Sequence, residues 1–234
     1  MKIIQYYQSA VKNLVYLDGI PALLLRLVLA PTMIIAGYGK LNLSNPDVSG
    51  ISSLTASSSV VEWFGNNEWG LGLPFPELLA NLAAWTEFLG GWMLVIGLFT
   101  RLISIPLMVT MFIAATTVHW QHGWFAVAPS NPDFSPAKVV AWFGVEKAQE
   151  SLNNSEQVSI RLNKMKDILE ENGNTDWLYA KGNIAVLNNG IEHAATYFIM
   201  LLALIFIGGG RFTSADYYLY TYWLKQKKFA NNHL

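Results

Sequence analysis

Residues 78–120, LLANLAAWTEFLGGWMLVIGLFTRLISIPLMVTMFIAATTVHW, hold two apolar runs, Leu78 to Thr100 and Leu102 to Trp120, with Arg101 between them. Each run is close to the roughly 20 residues a helix needs to cross about 30 Å of hydrocarbon. A separation of one or two residues predicts a tight antiparallel hairpin of two membrane spans. Gly90, Gly91 and Gly97 in the first run would let a neighbouring helix approach closely, and such a glycine-rich face also suits the contact of a homodimer.

Two further runs flank the hairpin. Ile20 to Tyr38 opens with Pro21, which fits a first helical turn because its missing N–H would be unpaired there anyway. Ile191 to Gly210 ends in Gly208, Gly209 and Gly210, a triplet expected to stop the helix, with Arg211 following. The expected fold is an all-α integral membrane four-helix bundle forming one membrane domain over 1–234. Its spans fall at approximately 20–38, 78–100, 102–120 and 191–210. Composition agrees: the chain is 53% hydrophobic and only 13% charged, about half the charge of a soluble domain.

The same composition excludes several function classes. A net charge of -1 and the lack of a basic stripe interleaved with aromatics argue against nucleic acid as a partner. With no cysteine there is no disulfide framework, thiolate metal site or cysteine nucleophile. Met1 to Gly19 lacks the apolar core and cleavage site of a secretory signal. Lys and Arg flank the ends that carry the amino terminus, the Arg101 turn and a tail with Lys225, Lys227 and Lys228. That bias predicts both termini in the cytoplasm and residues 39–77 and 121–190 outside.

In those outer loops, Val60-Val61-Glu62-Trp63-Phe64-Gly65 and Val139-Val140-Ala141-Trp142-Phe143-Gly144 match at five of six positions. Duplication of a helical hairpin and coincidence between apolar turns both account for the match. An amphipathic helix is expected over about 155–172, with Val158, Leu162, Met165 and Leu169 on one face, Asn154 or Ser155 as cap and Gly173 as stop. It either packs over the bundle mouth or docks another protein.

Ionisable residues inside a membrane are costly and mark candidate sites. Arg26 and Glu87 are expected at neighbouring depths, as an ion pair or with Glu87 accepting protons. At the outer end the topology gathers Lys40, His119, His122, Glu192 and His193, with Trp85, Trp120 and Trp124 in an interfacial aromatic belt. Two histidines and a carboxylate suit copper, iron or zinc, and paired imidazoles could hold haem. A histidine there could instead exchange protons with a quinone head group, and simple hydrogen bonding at the interface is the plainer reading. Lys40 reads equally as a snorkelling residue. No HExxH, phosphate loop or nucleophile elbow occurs.

Several of these segments together resemble one family. Arg26-Leu27, Gly37-Tyr38-Gly39-Lys40-Leu41, Leu73-Pro74 and the run from Glu87-Phe88-Leu89-Gly90-Gly91-Trp92 to Gly97-Leu98-Phe99-Thr100-Arg101 resemble the DoxX family of small bacterial membrane proteins. His119 and Gly208 to Arg211 with Ser214 and Asp216 are similar to its later segments, while the 155–172 helix looks like an insertion. The resemblance implies a bacterial inner-membrane protein. It links the chain to oxidoreductase systems, including a quinone-reducing one, and, through the HvfX-like branch, to operons making copper-binding modified peptides. The resemblance puts Glu87, Lys40, His119 and Arg211 on recurring motifs without assigning them a role; the residue types themselves suggest Glu87 and His119 for proton handling and Arg26, Lys40 and Trp120 for binding a quinone. The alternative it implies is a non-catalytic scaffold or maturation factor for a partner enzyme or peptide.

Overall fold

The chain adopts a wholly helical architecture. The computed structural model describes the backbone of residues 2–231 and all side chains among them except those at positions 2, 3, 10, 15, 44 and 225–231. Lys2, Lys225, Lys227 and Lys228, part of the terminal charge bias, lie outside the described side chains. The helices are α1 (Lys2–Leu14), α2 (Gly19–Lys40), α3 (Ser58–Gly65), α4 (Pro76–Ile96), α5 (Thr100–Ile113), α6 (Ala137–Ala141), α7 (Glu146–Asn172), α8 (Thr175–Leu178), α9 (Glu192–Ile207) and α10 (Ala215–Asn231). Among the described residues there is no strand, only isolated bridges at Leu41–Ala56 and Val127–Leu187.

Among the described residues three helices are long and apolar enough to cross a membrane: Gly19–Lys40, Pro76–Ile96 and Thr100–His122. The last is α5 prolonged by a π-helical stretch, Ala114–His119, and a 3-10 turn, Trp120–His122. The fourth expected span is α9, which is apolar but has 16 residues. The chain is therefore an all-α membrane protein. Its surface has the inverted pattern such proteins need: Leu24, Val28, Ile35, Leu82, Ile105 and Phe206 are exposed, while Arg26, Glu87, Thr100 and Ser104 are buried.

Two compact units are present, Met1–Thr117 with Ala194–Leu234, and Val118–His193. In the first, Leu29 and Met33 of α2, Leu94 of α4, Leu107 and Met111 of α5, and Leu201 and Leu204 of α9 form one core. Helices α2 and α4 meet backbone to backbone at Gly37, where a Cβ would lie 2.6 Å from the Ala84 carbonyl oxygen. Gly90 faces Ile103 and Leu107, and Gly91 faces Ala30 and Ile34. These glycines thus pack helices together within the chain.

The α4–α5 connection is Gly97–Phe99, one helical register earlier than expected, so Thr100 and Arg101 open α5 rather than close α4. The cause is local. Gly97 takes a left-handed φ of 71° and its N–H, with that of Leu98, returns to Met93 and Leu94 carbonyls, the motif that stops helices. Gly208, at φ 76°, follows the end of α9 in the same way.

In the second unit, residues 123–128 are tied to 186–192 by backbone bonds that include Ala128 N–H to Val186 O, 2.9 Å, and Ile191 N–H to Gly123 O, 2.9 Å. Helix α7 begins at Glu146, nine residues before the expected start, and its amino-terminal cap is Val145 rather than Asn154 or Ser155. Residues 146–150 and Leu152 are good helix formers, and Ser155 bonds back to the Ser151 carbonyl at 2.9 Å. Its buried residues Ala148, Ser155 and Leu162 recur every seven positions. Two of them are too small and polar to stand out in an apolar pattern.

The two matching hexamers differ in packing. Phe64 is buried in a cluster with Ala56 and Ala80, whereas Trp142 and Phe143 are 73% and 81% exposed. The likeness in sequence carries no likeness in environment.

Candidate functional site

Glu87 lies in the middle of α4 and is 4% exposed. Its Oε2 accepts a hydrogen bond from Lys40 Nζ, and the two form an ion pair. Gly37 abuts Ala84 and Phe88, so Glu87 is level with about residue 37. Lys40 stands one turn beyond, roughly 5 Å along the axis, a distance its four-carbon stem covers by folding back.

Arg26 does not join this pair. It lies beside Gly97, ten residues or about 15 Å along α4 from Glu87. Fully buried, it donates from Nη1 to the carbonyls of Leu94 at 2.9 Å and Val95 at 3.2 Å, and from Nη2 to Thr213 O at 2.7 Å. The expected Arg26–Glu87 pair is therefore corrected: Arg26 closes the carboxyl end of α4 and fastens the segment before α10 to it. Depth counted from span ends misplaced the two because α4 ends level with Arg26, at Gly97, and not level with the start of α2.

The Lys40 end of α2 is held by the loop after it. Ser57 N–H donates to Lys40 O at 2.9 Å and Asn42 N–H to Thr55 O at 3.0 Å. Asn81 Oδ1 accepts from Ala56 N–H at 2.8 Å, and Trp85 Nε1 donates to Leu54 O at 2.9 Å. Phe88 packs edge-on to Trp85 and tilted against Tyr38. The lysine side chain remains 27% exposed while the carboxylate is 5% exposed. The arrangement is a buried acid with one oxygen on an ammonium that itself reaches the surface. The other oxygen, Oε1, is free of any such bond.

The outer histidines fall in the second unit and serve the loop. His119 Nδ1 donates to Asn189 O at 2.7 Å. Asn189 holds a left-handed φ of 56° there. Glu192 accepts the Ala126 N–H at 2.9 Å, and His122 Nε2 meets Gln121 Nε2 at 3.4 Å. His193 stands in the first turn of α9, and Trp120 is 66% exposed. Among the described residues no three His, Asp or Glu converge in a way that would hold a metal ion. The expected set of His119, His122, Glu192 and His193 is not assembled, since His119 and Glu192 each anchor backbone of the loop instead.

That unit also holds a cavity of about 710 Å3 bounded by Trp124, Phe125, Val140, Val145, Lys147 and Glu150. Its walls come from loop and helix residues whose candidacy no motif signalled. Another residue without a local signal is Asp216, whose carboxylate takes the N–H groups of Phe99 at 2.6 Å and Thr100 at 2.8 Å and so caps α5. Caps are sought beside a helix in sequence, and this one comes from more than a hundred residues away.

A family model described as DoxX matches residues 22–120. That segment runs from the first turn of α2 to the end of the prolonged α5 and includes Arg26, Lys40, Glu87, Arg101 and His119. No curated protein and no solved structure matches the chain.

Proposed function

We propose, from the DoxX family match over residues 22–120 and the site's geometry, a membrane subunit of a redox system that binds a quinone or similar small lipophilic molecule beside the Lys40–Glu87 pair. The observation carrying this reading is the burial of Glu87 in a membrane helix with Lys40 as its one ionic partner among the described residues. Buried ionisable groups within spans are costly and mark ligand or proton paths. A quinone carries two electrons and two protons together, the electrons exchanged with a partner oxidoreductase. Glu87 Oε1 would accept or return a proton at a ligand hydroxyl, with Lys40 balancing the charge on Oε2. The Tyr38, Trp85 and Phe88 rings next to the pair offer apolar faces to a flat ring. His119 Nε2 remains a second candidate proton acceptor in its own unit. We place the protein in the bacterial inner membrane with both termini cytoplasmic, following the distribution of Lys and Arg.

The test is affinity for quinone analogues in detergent, with quinone extraction from the purified protein. Glu87→Gln and Lys40→Met are expected to weaken analogue binding while leaving the helical content unchanged. A preparation with neither bound quinone nor affinity for analogues sinks the reading.

The cavity at Trp124, Phe125 and Val140 favours a second reading, a scaffold or maturation factor that captures a partner enzyme or a copper-binding peptide. Its capture should be lost on deleting 155–172, which removes most of α7; an unchanged pull-down counts against it.

A further inference from the structure

In the first unit a cavity of about 890 Å3 opens between the start of α2, the α4–α5 turn and the Gly208–Gly210 segment. Two arginines line it, Arg101 and Arg211. We propose that it binds the phosphate headgroup of an anionic phospholipid.

Three observations carry the assignment. Arg101, in the first turn of α5, donates from Nη2 to Phe206 O at 3.1 Å, and it has no carboxylate within ion-pair reach among the described residues. Beside it Gly208, where a Cβ would come within 3.0 Å of Arg101 Nε, lets the guanidinium lie against the turn. Arg211 binds Asp18 Oδ2 through Nε at 3.2 Å, which leaves its Nη groups to a second acceptor. Asp216, the other acid at the cavity, has both oxygens engaged by the Phe99 and Thr100 N–H groups. The site therefore offers guanidinium N–H groups with planar geometry suited to phosphate.

The walls select a lipid rather than a dissolved anion. Phe99, Leu102 and Ile207 line the cavity and are each about half or more exposed, so an acyl chain could run from the arginines along their apolar surface. Tyr217 and Tyr220 stand at the same level, where amphipathic rings favour the headgroup layer. Basic pockets at span ends are a recurrent means of holding anionic headgroups.

The experiment uses the full chain in neutral detergent, titrated with phosphatidylglycerol or phosphatidylcholine and read by native mass spectrometry. A one-to-one phosphatidylglycerol adduct is expected in preference to phosphatidylcholine. Arg101→Gln and Arg211→Gln should each weaken it roughly fivefold, the effect of one basic residue near an anionic lipid surface. Arg211→Gln keeps the test open if Arg101→Gln loosens the end of α9. Asp18→Asn frees Arg211 and should tighten phosphatidylglycerol binding, which a purely structural ion pair would not do. Equal retention of the two lipids, or affinity unchanged in both arginine variants, overturns the proposal. Displacement of phosphatidylglycerol by millimolar inorganic phosphate would overturn it in favour of a soluble anion. Quinone-analogue binding at Lys40–Glu87 is measured separately and does not depend on any of these results.

Discussion

The Asp216 carboxylate accepts the Thr100 N–H at 2.8 Å, so the first turn of α5 is capped by the first turn of α10. Replacing Asp216 with Ala should destabilise the protein by about 1–2 kcal/mol, the range of a lost helix cap. Asp216→Asn, which retains one acceptor oxygen, should lose less. Thermal unfolding in detergent reads both, and equal stability of Asp216→Ala and the parent would refute the capping role.

Arg26 is expected to be far less replaceable. Arg26→Met takes the guanidinium donors from the Leu94, Val95 and Thr213 carbonyls. Counting one charge-assisted bond for each Nη atom, at roughly 1.5 kcal/mol each, sets a loss of about 3 kcal/mol or more. Arg26→Lys supplies charge without the fork and should recover only part. Denaturant titration of both variants decides.

The Lys40–Glu87 pair should be worse broken than absent. Lys40→Met strands a buried carboxylate and should cost on the order of 3 kcal/mol, whereas the double variant Lys40→Met with Glu87→Leu should recover much of that loss. A double variant no more stable than Lys40→Met would show that the two residues are not energetically coupled.

Gly37 and Gly39, two positions apart on α2, should respond with opposite signs. A Cβ at Gly37 meets the α4 backbone, while at Gly39 nothing lies within 4 Å. Gly37→Ala should cost about 1–3 kcal/mol by overpacking. Gly39→Ala should be neutral or stabilising by up to about 1 kcal/mol, the helix-propensity gain. Matching losses in the two variants would contradict the close α2–α4 approach.

Outside the spans, Asp133 accepts from Lys138 Nζ at 2.7 Å, and the lysine holds its carboxyl below the ordinary carboxylate range. Its contribution to loop order is complete above the ordinary carboxylate range and is lost as pH falls through the lowered value. Carbon-detected NMR titration should find that midpoint moved upward in Lys138→Gln; an unmoved midpoint would show that the contact is not formed in solution.

The membrane helices were legible because an apolar run has a minimum length set by the bilayer, so α2, α4 and the prolonged α5 follow from counting. Pairing between spans was not. It depends on the level at which the end of α4 meets α2, and Gly97 meets it at Arg26 rather than at its first residue. Glu87 therefore stood out as a candidate, but its partner did not: Lys40 reads from the end of its run as an interfacial residue. The histidines show the converse error. Their residue types fit a metal site, yet His119 and Glu192 hold loop backbone, a use that no spacing rule encodes. Ala148 and Ser155 explain why α7 seemed shorter: a buried stripe of small residues leaves no apolar period to detect.

The meeting of α2 and α4 at Gly37 has a calorimetric consequence. Lipid tails are as apolar as leucine, and the heat-capacity change of unfolding comes from surface newly hydrated by water. Parting these two helices within the bilayer would trade backbone contact for lipid contact and hydrate almost nothing. That step should pass nearly unseen in the heat-capacity baseline, and the signal that scanning calorimetry does record should come mainly from segments that water hydrates as they unfold.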